Sequence, residues 1–342
     1  MQNGCSEMSQ ACICGDYNED GSLTSMDIGG VTMCANGMVL CDSSLVDTDG
    51  DRSTTALAIG GVVTTVAGNL PAASLRCDRN PAPSLEAVES GIRSTRSGGL
   101  AMPIFESGPV RLYHEVSGAG FPVLLFAPGG MRSAIPFWEH IPWNPVKRLA
   151  PEFKVIAMDQ RNAGQSTAPI GSEDGWDQYT DDHLKLLDHL GADRCHLVGC
   201  CIGGSFIASF LKRAPERVAS AVLMQPIGAT PENVPEFSEL FDGWAAELRP
   251  SHADTPEASW SKYKENMFGG DFLYCATRDE IRAMATPMLV LMGNDMYHPE
   301  VTSREVASLA PNAELIESWK EPENAEGAAK RASDFLRAHT PA

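Results

Sequence analysis

Two glycines flank a cysteine at a spacing that leaves the backbone few choices. Gly199-Cys200-Cys201-Ile202-Gly203 joins a short apolar run, Leu197-Val198, to a helix-like pattern, Ser205-Phe206-Ile207-Ala208-Ser209-Phe210-Leu211. A short apolar run that enters a turn and leaves as a helix is a strand, tight turn and helix, the arrangement that holds a nucleophile in a strained backbone conformation. Glycine is required on both sides because neighbouring chain packs where a Cβ would stand. The slot between the glycines holds a thiol, Cys201. Its neighbour Cys200 reads as a buried core thiol.

From Pro103 onward, apolar runs alternate with helical patterns. Val110 to Val116 alternates as a strand, and Gly118-Ala119-Gly120 turns into the run Val123 to Ala127, followed by Pro128-Gly129-Gly130-Met131. Phe153 to Met158 is a further buried strand, ending in Asp159-Gln160-Arg161-Asn162-Ala163-Gly164-Gln165-Ser166. Leu184, Leu187 and Leu190 share one helical face, which predicts a helix over Tyr179 to Leu190 that stops at Gly191. After the elbow helix comes a strand from Ala221 to Pro226. About 60 residues then interrupt the alternation with two amphipathic helices, Glu236 to Leu248 and Ala258 to Met267. Alternation resumes with a strand at Met288 to Met292, a helix at Ser303 to Leu309, a strand at Ala313 to Ser318 and a helix from Ala325 to His339. Buried strands alternating with helices predict an α/β fold with a mostly parallel, doubly wound sheet covered on both faces.

The chain of 342 residues is long enough for two domains, and its 43% apolar and 21% charged content suits a full core. A net charge of −19 argues against nucleic acid or an anionic membrane as partner. No apolar run approaches the roughly 20 residues that span a bilayer. The first residues, Met1-Gln2-Asn3-Gly4-Cys5-Ser6-Glu7, have neither a basic start nor an apolar core, so no signal peptide is visible and a cytoplasmic location is the default. The cysteines point the other way. Six of the ten, Cys5, Cys12, Cys14, Cys34, Cys41 and Cys77, crowd the first 77 residues, as in an extracellular disulfide framework.

Residues 1–77 also repeat internally. Asp27-Ile28-Gly29-Gly30-Val31 lies over Ala58-Ile59-Gly60-Gly61-Val62 at an offset of 31 positions. In the first copy, Asp16, Asn18, Asp20 and Ser22 stand at loop positions 1, 3, 5 and 7, with Gly21 at the sharp turn and Asp27 at position 12. Hard oxygen ligands at that spacing suit a structural Ca²⁺, and an Asp/Gly-rich solvated turn without metal is the alternative. The paired loops resemble a dockerin-type calcium repeat over roughly residues 12–70. In the second copy Arg52 replaces the turn glycine and Ala58 the last carboxylate. The resemblance implies a docking segment with a protein partner, not a catalytic one. Residues 78–102, rich in Pro, Ser, Gly and Arg, read as a linker.

Over residues 103–342 the order of parts resembles the α/β-hydrolase superfamily. Four pieces carry the likeness: the Pro128-Gly129-Gly130 loop, the Asp159-x-Arg161-x-x-Gly164-x-Ser166 turn, the Gly199-x-Cys201-x-Gly203 elbow and Gly293-Asn294-Asp295-Met296-Tyr297-His298-Pro299. The resemblance implies Cys201 as nucleophile and an oxyanion hole from the backbone N–H of Ile202 with that of Gly130 or Met131. It further implies Asp295 as the acid that orients a histidine, and an inserted lid at about residues 227–287, with no catalytic cofactor. One part departs from the pattern. The family's histidine follows the last strand, but here that loop reads Trp319-Lys320-Glu321-Pro322-Glu323-Asn324-Ala325-Glu326-Gly327. Cysteine, with an ordinary pKa near 8.5, can ionise in part without a base. His298, three residues after Asp295, and His140, after the glycine pair, are alternative bases, and action without a histidine is the third reading. His189 and His196 are expected within or beside packed elements, His183 on a helix surface and His339 near the free end.

Three function classes follow. The first is an enzyme that cleaves an ester, thioester or lactone of a small-molecule substrate through an acyl-Cys201 intermediate, with a proline iminopeptidase-like aminopeptidase as its variant. The second is a hydrolase-fold protein that binds a ligand without turning it over. The third is a scaffold component that acts through the calcium repeat.

Overall fold

A computed structural model describes residues 103–341. The calcium loop (Asp16, Asn18, Asp20, Ser22, Asp27), the six N-terminal cysteines and the 78–102 linker lie outside the described residues. Among the described residues eight strands form one sheet: β1 (Ile104–Ser107), β2 (Val110–Ser117), β3 (Pro122–Phe126), β4 (Lys154–Met158), β5 (Cys195–Cys200), β6 (Val218–Met224), β7 (Met288–Leu291) and β8 (Ala313–Ile316). Their spatial order is β1-β2-β4-β3-β5-β6-β7-β8. The β1–β2 hairpin is antiparallel, and β2 pairs antiparallel with β4; every other pairing is parallel.

Among the described residues eight α-helices accompany them: α1 (Pro145–Leu149), α2 (Trp176–His189), α3 (Gly203–Arg213), α4 (Val234–Leu248), α5 (Glu257–Phe268), α6 (Arg278–Ala283), α7 (Glu300–Leu309) and α8 (Pro322–Ala338). The two faces of the sheet bury alternate residues of each strand. Leu124, Ile156, Leu197, Leu223 and Val290 pack on one side against Leu186 and Leu187 of α2 and Phe206 and Phe210 of α3. Val123, Val155, Val198, Val222 and Leu289 pack on the other against Leu149 of α1 and Ala329, Ala332 and Phe335 of α8. A strand buried on both sides cannot show period-two alternation, which is why β3 and β7 read as unbroken apolar runs.

Strand order decides where a site can form. From β3 the chain steps outward to β4 and then returns to β5 on the opposite side of β3. The loops leaving β3 and β5 therefore diverge from neighbouring strands and leave a crevice at their carboxyl ends, the usual ligand position in open α/β sheets. Those loops are Pro128-Gly129-Gly130 and the Cys201 elbow.

Some boundaries differ from expectation. β1 and α6 carry no periodic signal long enough to declare them. α2 begins at Trp176, three residues before the predicted start, and α8 begins at Pro322, a residue suited to a first helical turn. His183 is not on a surface. It shares the inner face of α2 with Tyr179, Leu186 and Leu187, is fully buried, and bonds Gln160 Oε1 at 2.7 Å. Burial pushes its pKa down to about 3, so it stays neutral. Among the described residues no helix is long and apolar enough to cross a membrane.

Candidate active site

The elbow is built by steric exclusion. Cys201 has φ +61°, the left-handed region that a non-glycine residue adopts at a cost of about 1–3 kcal/mol. The hydrogen bonds from its N–H to Met224 O (3.0 Å) and from Gly204 N–H to its carbonyl (3.0 Å) hold it there. A Cβ on Gly199 would stand 2.5 Å from Gly203 O, and one on Gly203 would stand 2.6 Å from Phe126 O. The two glycines thus let helix, elbow and β3 approach closely. Cys200 is fully buried in the strand.

The glycine pair after β3 turns through φ +117° at Gly129 and +58° at Gly130 before a 3₁₀ turn, Gly130–Arg132. Asp159 fastens this loop, its carboxylate accepting from Ile135 N–H and Gln165 N–H, both at 2.8 Å. The Asp-x-Arg turn is therefore a brace. Its Arg161 is buried between Asp174 and Asp182, bonding Asp182 through Nε at 2.8 Å.

Gly293 opens the third loop, because a Cβ there would lie 2.3 Å from His298 O. The loop folds back on itself. Asp295 Oδ1 accepts the backbone N–H groups of Tyr297 and His298, each at 3.0 Å, and His298 Nδ1 lies 2.7 Å from the same oxygen. With Nδ1–H donating to the Asp295 carboxylate, Nε2 is left for the thiol. That nitrogen is buried and bonds no oxygen or nitrogen. It lies near enough to Cys201 for each group to shift the other's titration, though it is not aligned for a well-formed hydrogen bond. Such contacts often tighten only when substrate binds.

Burial alone would push the Cys201 thiol up. The charge and proximity of His298 and the backbone N–H groups of Ile202 and Gly129 outweigh burial and hold it below the ordinary thiol value. For His298 burial acts downward. The thiolate and Asp295 outweigh it and lift the imidazole to about 9. Asp295 is held well below the usual carboxylate range: burial opposes this, and the His298 hydrogen bond, its charge and the Lys320 ammonium prevail. All three directions favour a thiolate–imidazolium pair backed by a carboxylate.

The structure therefore brings Cys201, Asp295 and His298 together at one end of the sheet. Ile202 N–H and Gly129 N–H address the sulfur, while Gly130 and Met131 follow in the same loop and donate to no backbone carbonyl. A Cβ on Gly130 would meet nothing within 4 Å. His140 is exposed, edge-on to Phe137. His196 is buried between Ser220 and Thr340 and pushed down by burial to about 4. His189 is exposed with its ring against Phe105, and His339 is tilted against Phe335. Sequence reasoning missed the Gly129 donor and Lys320, whose Nζ lies 2.8 Å from Asn294 Oδ1 and 3.3 Å from Asp295 Oδ2. The signal for Lys320 was its place after β8, where a histidine was sought. Among the described residues no group of three His, Cys, Asp or Glu side chains converges to hold a metal.

The helices inserted between β6 and β7 bury five aromatics, Phe237, Phe241, Trp244, Trp260 and Tyr263. They are pinned to α2 and to the brace after β4. Tyr263 and Tyr179 hydroxyls lie 2.8 Å apart, Trp176 Nε1 donates to Met267 O, and Trp244 Nε1 donates to Asn162 O.

Comparison with known proteins agrees with this architecture. A profile of the alpha/beta hydrolase fold matches residues 122–264. The chain is 33% identical over 123 residues to a putative carbamate hydrolase, RutD, of Azorhizobium caulinodans, a match covering 36% of this chain and 44% of that protein. It is 25% identical over 222 residues to the carboxylesterase YbfK of Bacillus subtilis, covering 58% of this chain and 73% of the relative. Among solved structures, the enol-lactonase from Burkholderia xenovorans LB400 superposes with a TM-score of 0.52 at 21% identity, over 69% of this chain and all of the other. The chain has the α/β-hydrolase fold.

Proposed function

We propose that the protein is a hydrolase that cleaves an ester, thioester or lactone of a small molecule through an acyl-Cys201 intermediate. The observation that carries this reading is the pairing of a left-handed Cys201 at the elbow with a buried, otherwise unbonded His298 Nε2. The thiolate attacks the carbonyl carbon, and the C=O pair moves onto oxygen, where the N–H of Ile202 and of the Gly129–Met131 loop receive it. Collapse expels the alkoxide or thiolate, which takes the Nε2 proton of His298. Neutral His298 then takes a proton from water as it attacks the thioester, and expulsion of the Cys201 thiolate restores the ion pair. Asp295 keeps the imidazole oriented throughout, and the inserted helices serve as a fixed lid. The similarity to a carboxylesterase and an enol-lactonase supports this substrate range.

The same proton donor also suits the poorer leaving group of an amide, so the aminopeptidase variant is separated by assay. A panel of chromogenic esters, lactones and amino-acid anilides is tested with the wild type and Cys201→Ala. Turnover that falls on the order of 10³-fold or more in Cys201→Ala is expected. No turnover of any panel member, with Cys201 alkylated no faster than Cys275, would establish a binding protein instead. The structural Ca²⁺ and protein partner of residues 1–77 are part of the same proposal. Calcium is expected to raise a heat-denaturation transition that truncation of residues 1–77 removes.

A further inference from the structure

The geometry points to Lys320 as a positioning residue that shares the charge of Asp295 with His298 and so sets how tightly the imidazolium holds its proton. This rests on Cys201 and His298 being the reacting pair. In place of a histidine after β8, the chain puts an ammonium behind the carboxylate. Lys320 Nζ bonds Asn294 Oδ1 at 2.8 Å and pairs with Asp295 Oδ2 at 3.3 Å, while His298 Nδ1 lies 2.7 Å from Asp295 Oδ1 and 2.9 Å from Oδ2. The carboxylate thus faces two cations from different loops, with Oδ2 shared between them. The lysine is itself anchored, because its neighbour Trp319 is buried and donates through Nε1 to Met292 O at 2.8 Å. It therefore fixes the loop after β7 against the loop after β8.

The groups that share this field are few. His298 faces Cys201 from the elbow and Asp295 and Tyr297 from its own loop. Asp295 faces His298 and Lys320. Lys320 acts also on Glu321 beside it and on the buried Cys200. A second cation on the shared Oδ2 withdraws part of the carboxylate's attraction from the imidazolium. Removing it should strengthen the hold of Asp295 on the His298 proton.

The test needs no knowledge of the substrate. Alkylation of Cys201 is followed by peptide mass spectrometry on the full chain with iodoacetate and with iodoacetamide between pH 5 and 11. The anionic reagent is favoured while His298 is protonated, so the ratio of the two rates steps down as the imidazolium loses its proton. The wild-type midpoint is expected near the His298 value of about 9. Lys320→Met should raise it by about half a unit or more, a shift sized for a partly exposed charge one residue removed from the titrating group. Lys320→Arg should leave it in place. Lys320→Gln, which retains a hydrogen-bond donor toward Asn294, should shift it as the methionine does and decides the question if that variant unfolds. An unmoved or lowered midpoint in the neutral variant, with only the melting temperature changed, overturns the role. His298→Asn separates the two readings, since a step that survives it overturns the Cys201–His298 pair itself, whatever Lys320 does.

Discussion

Replacing His298 with asparagine removes the imidazolium and keeps a side chain that can still reach Asp295. The thiol then keeps only the Ile202 and Gly129 N–H groups against the upward push of burial, so its pKa should rise from below to above the ordinary thiol value. At pH 7 each unit of that rise cuts the thiolate about tenfold and returns roughly threefold in intrinsic nucleophilicity. A rise of about two units therefore slows alkylation about tenfold net. Iodoacetamide labelling of the Cys201 peptide measures it directly. Cys275 is an internal control, because burial pushes its thiol up to about 12 and nothing in the substitution touches it. Equal labelling rates for Cys201 in variant and wild type at pH 7 would refute the argument that His298 activates the thiol.

Three further outcomes follow from the same geometry. Catalytic turnover should fall on the alkaline side near pH 9, since His298 donates a proton only while charged and that state is lost as pH rises through its value of about 9; a rate still climbing past pH 10 would exclude His298 as the acid. Arg161→Leu leaves Asp174 and Asp182 buried without a cation and should destabilise the domain by about 3–5 kcal/mol at pH 7. Burial already raises both carboxyls, so lowering the pH toward their protonation should shrink that loss, as urea unfolding at two pH values can show. Gly203→Ala, whose Cβ would meet Phe126 O at 2.6 Å, should cost about 2 kcal/mol or more and lower Cys201 labelling, because main chain and not a flexible side chain must move. An alanine variant with native melting temperature and native labelling would show that the elbow has slack.

Local chemistry made much of this molecule legible. The Gly199 and Gly203 spacing declared the elbow because no Cβ fits there. The unbroken apolar runs of β3 and β7 declared strands buried on two faces, and Asp295 stood in a loop after a strand where an acid was expected. Burial and partner choice were not legible. His183 lies on a helix whose polar face looked solvated, yet it turns inward because Gln160 and two phenylalanines surround it. The short β1 and α6 form because neighbouring elements cover them, which local propensity does not encode. The elbow was written in three residues of sequence, because sterics act between near neighbours. The choice of His298 over His140, and the arrival of Lys320 behind Asp295, depended on where the loops after β3, β7 and β8 come to rest. Such long-range electrostatics exists only once the sheet has ordered its strands.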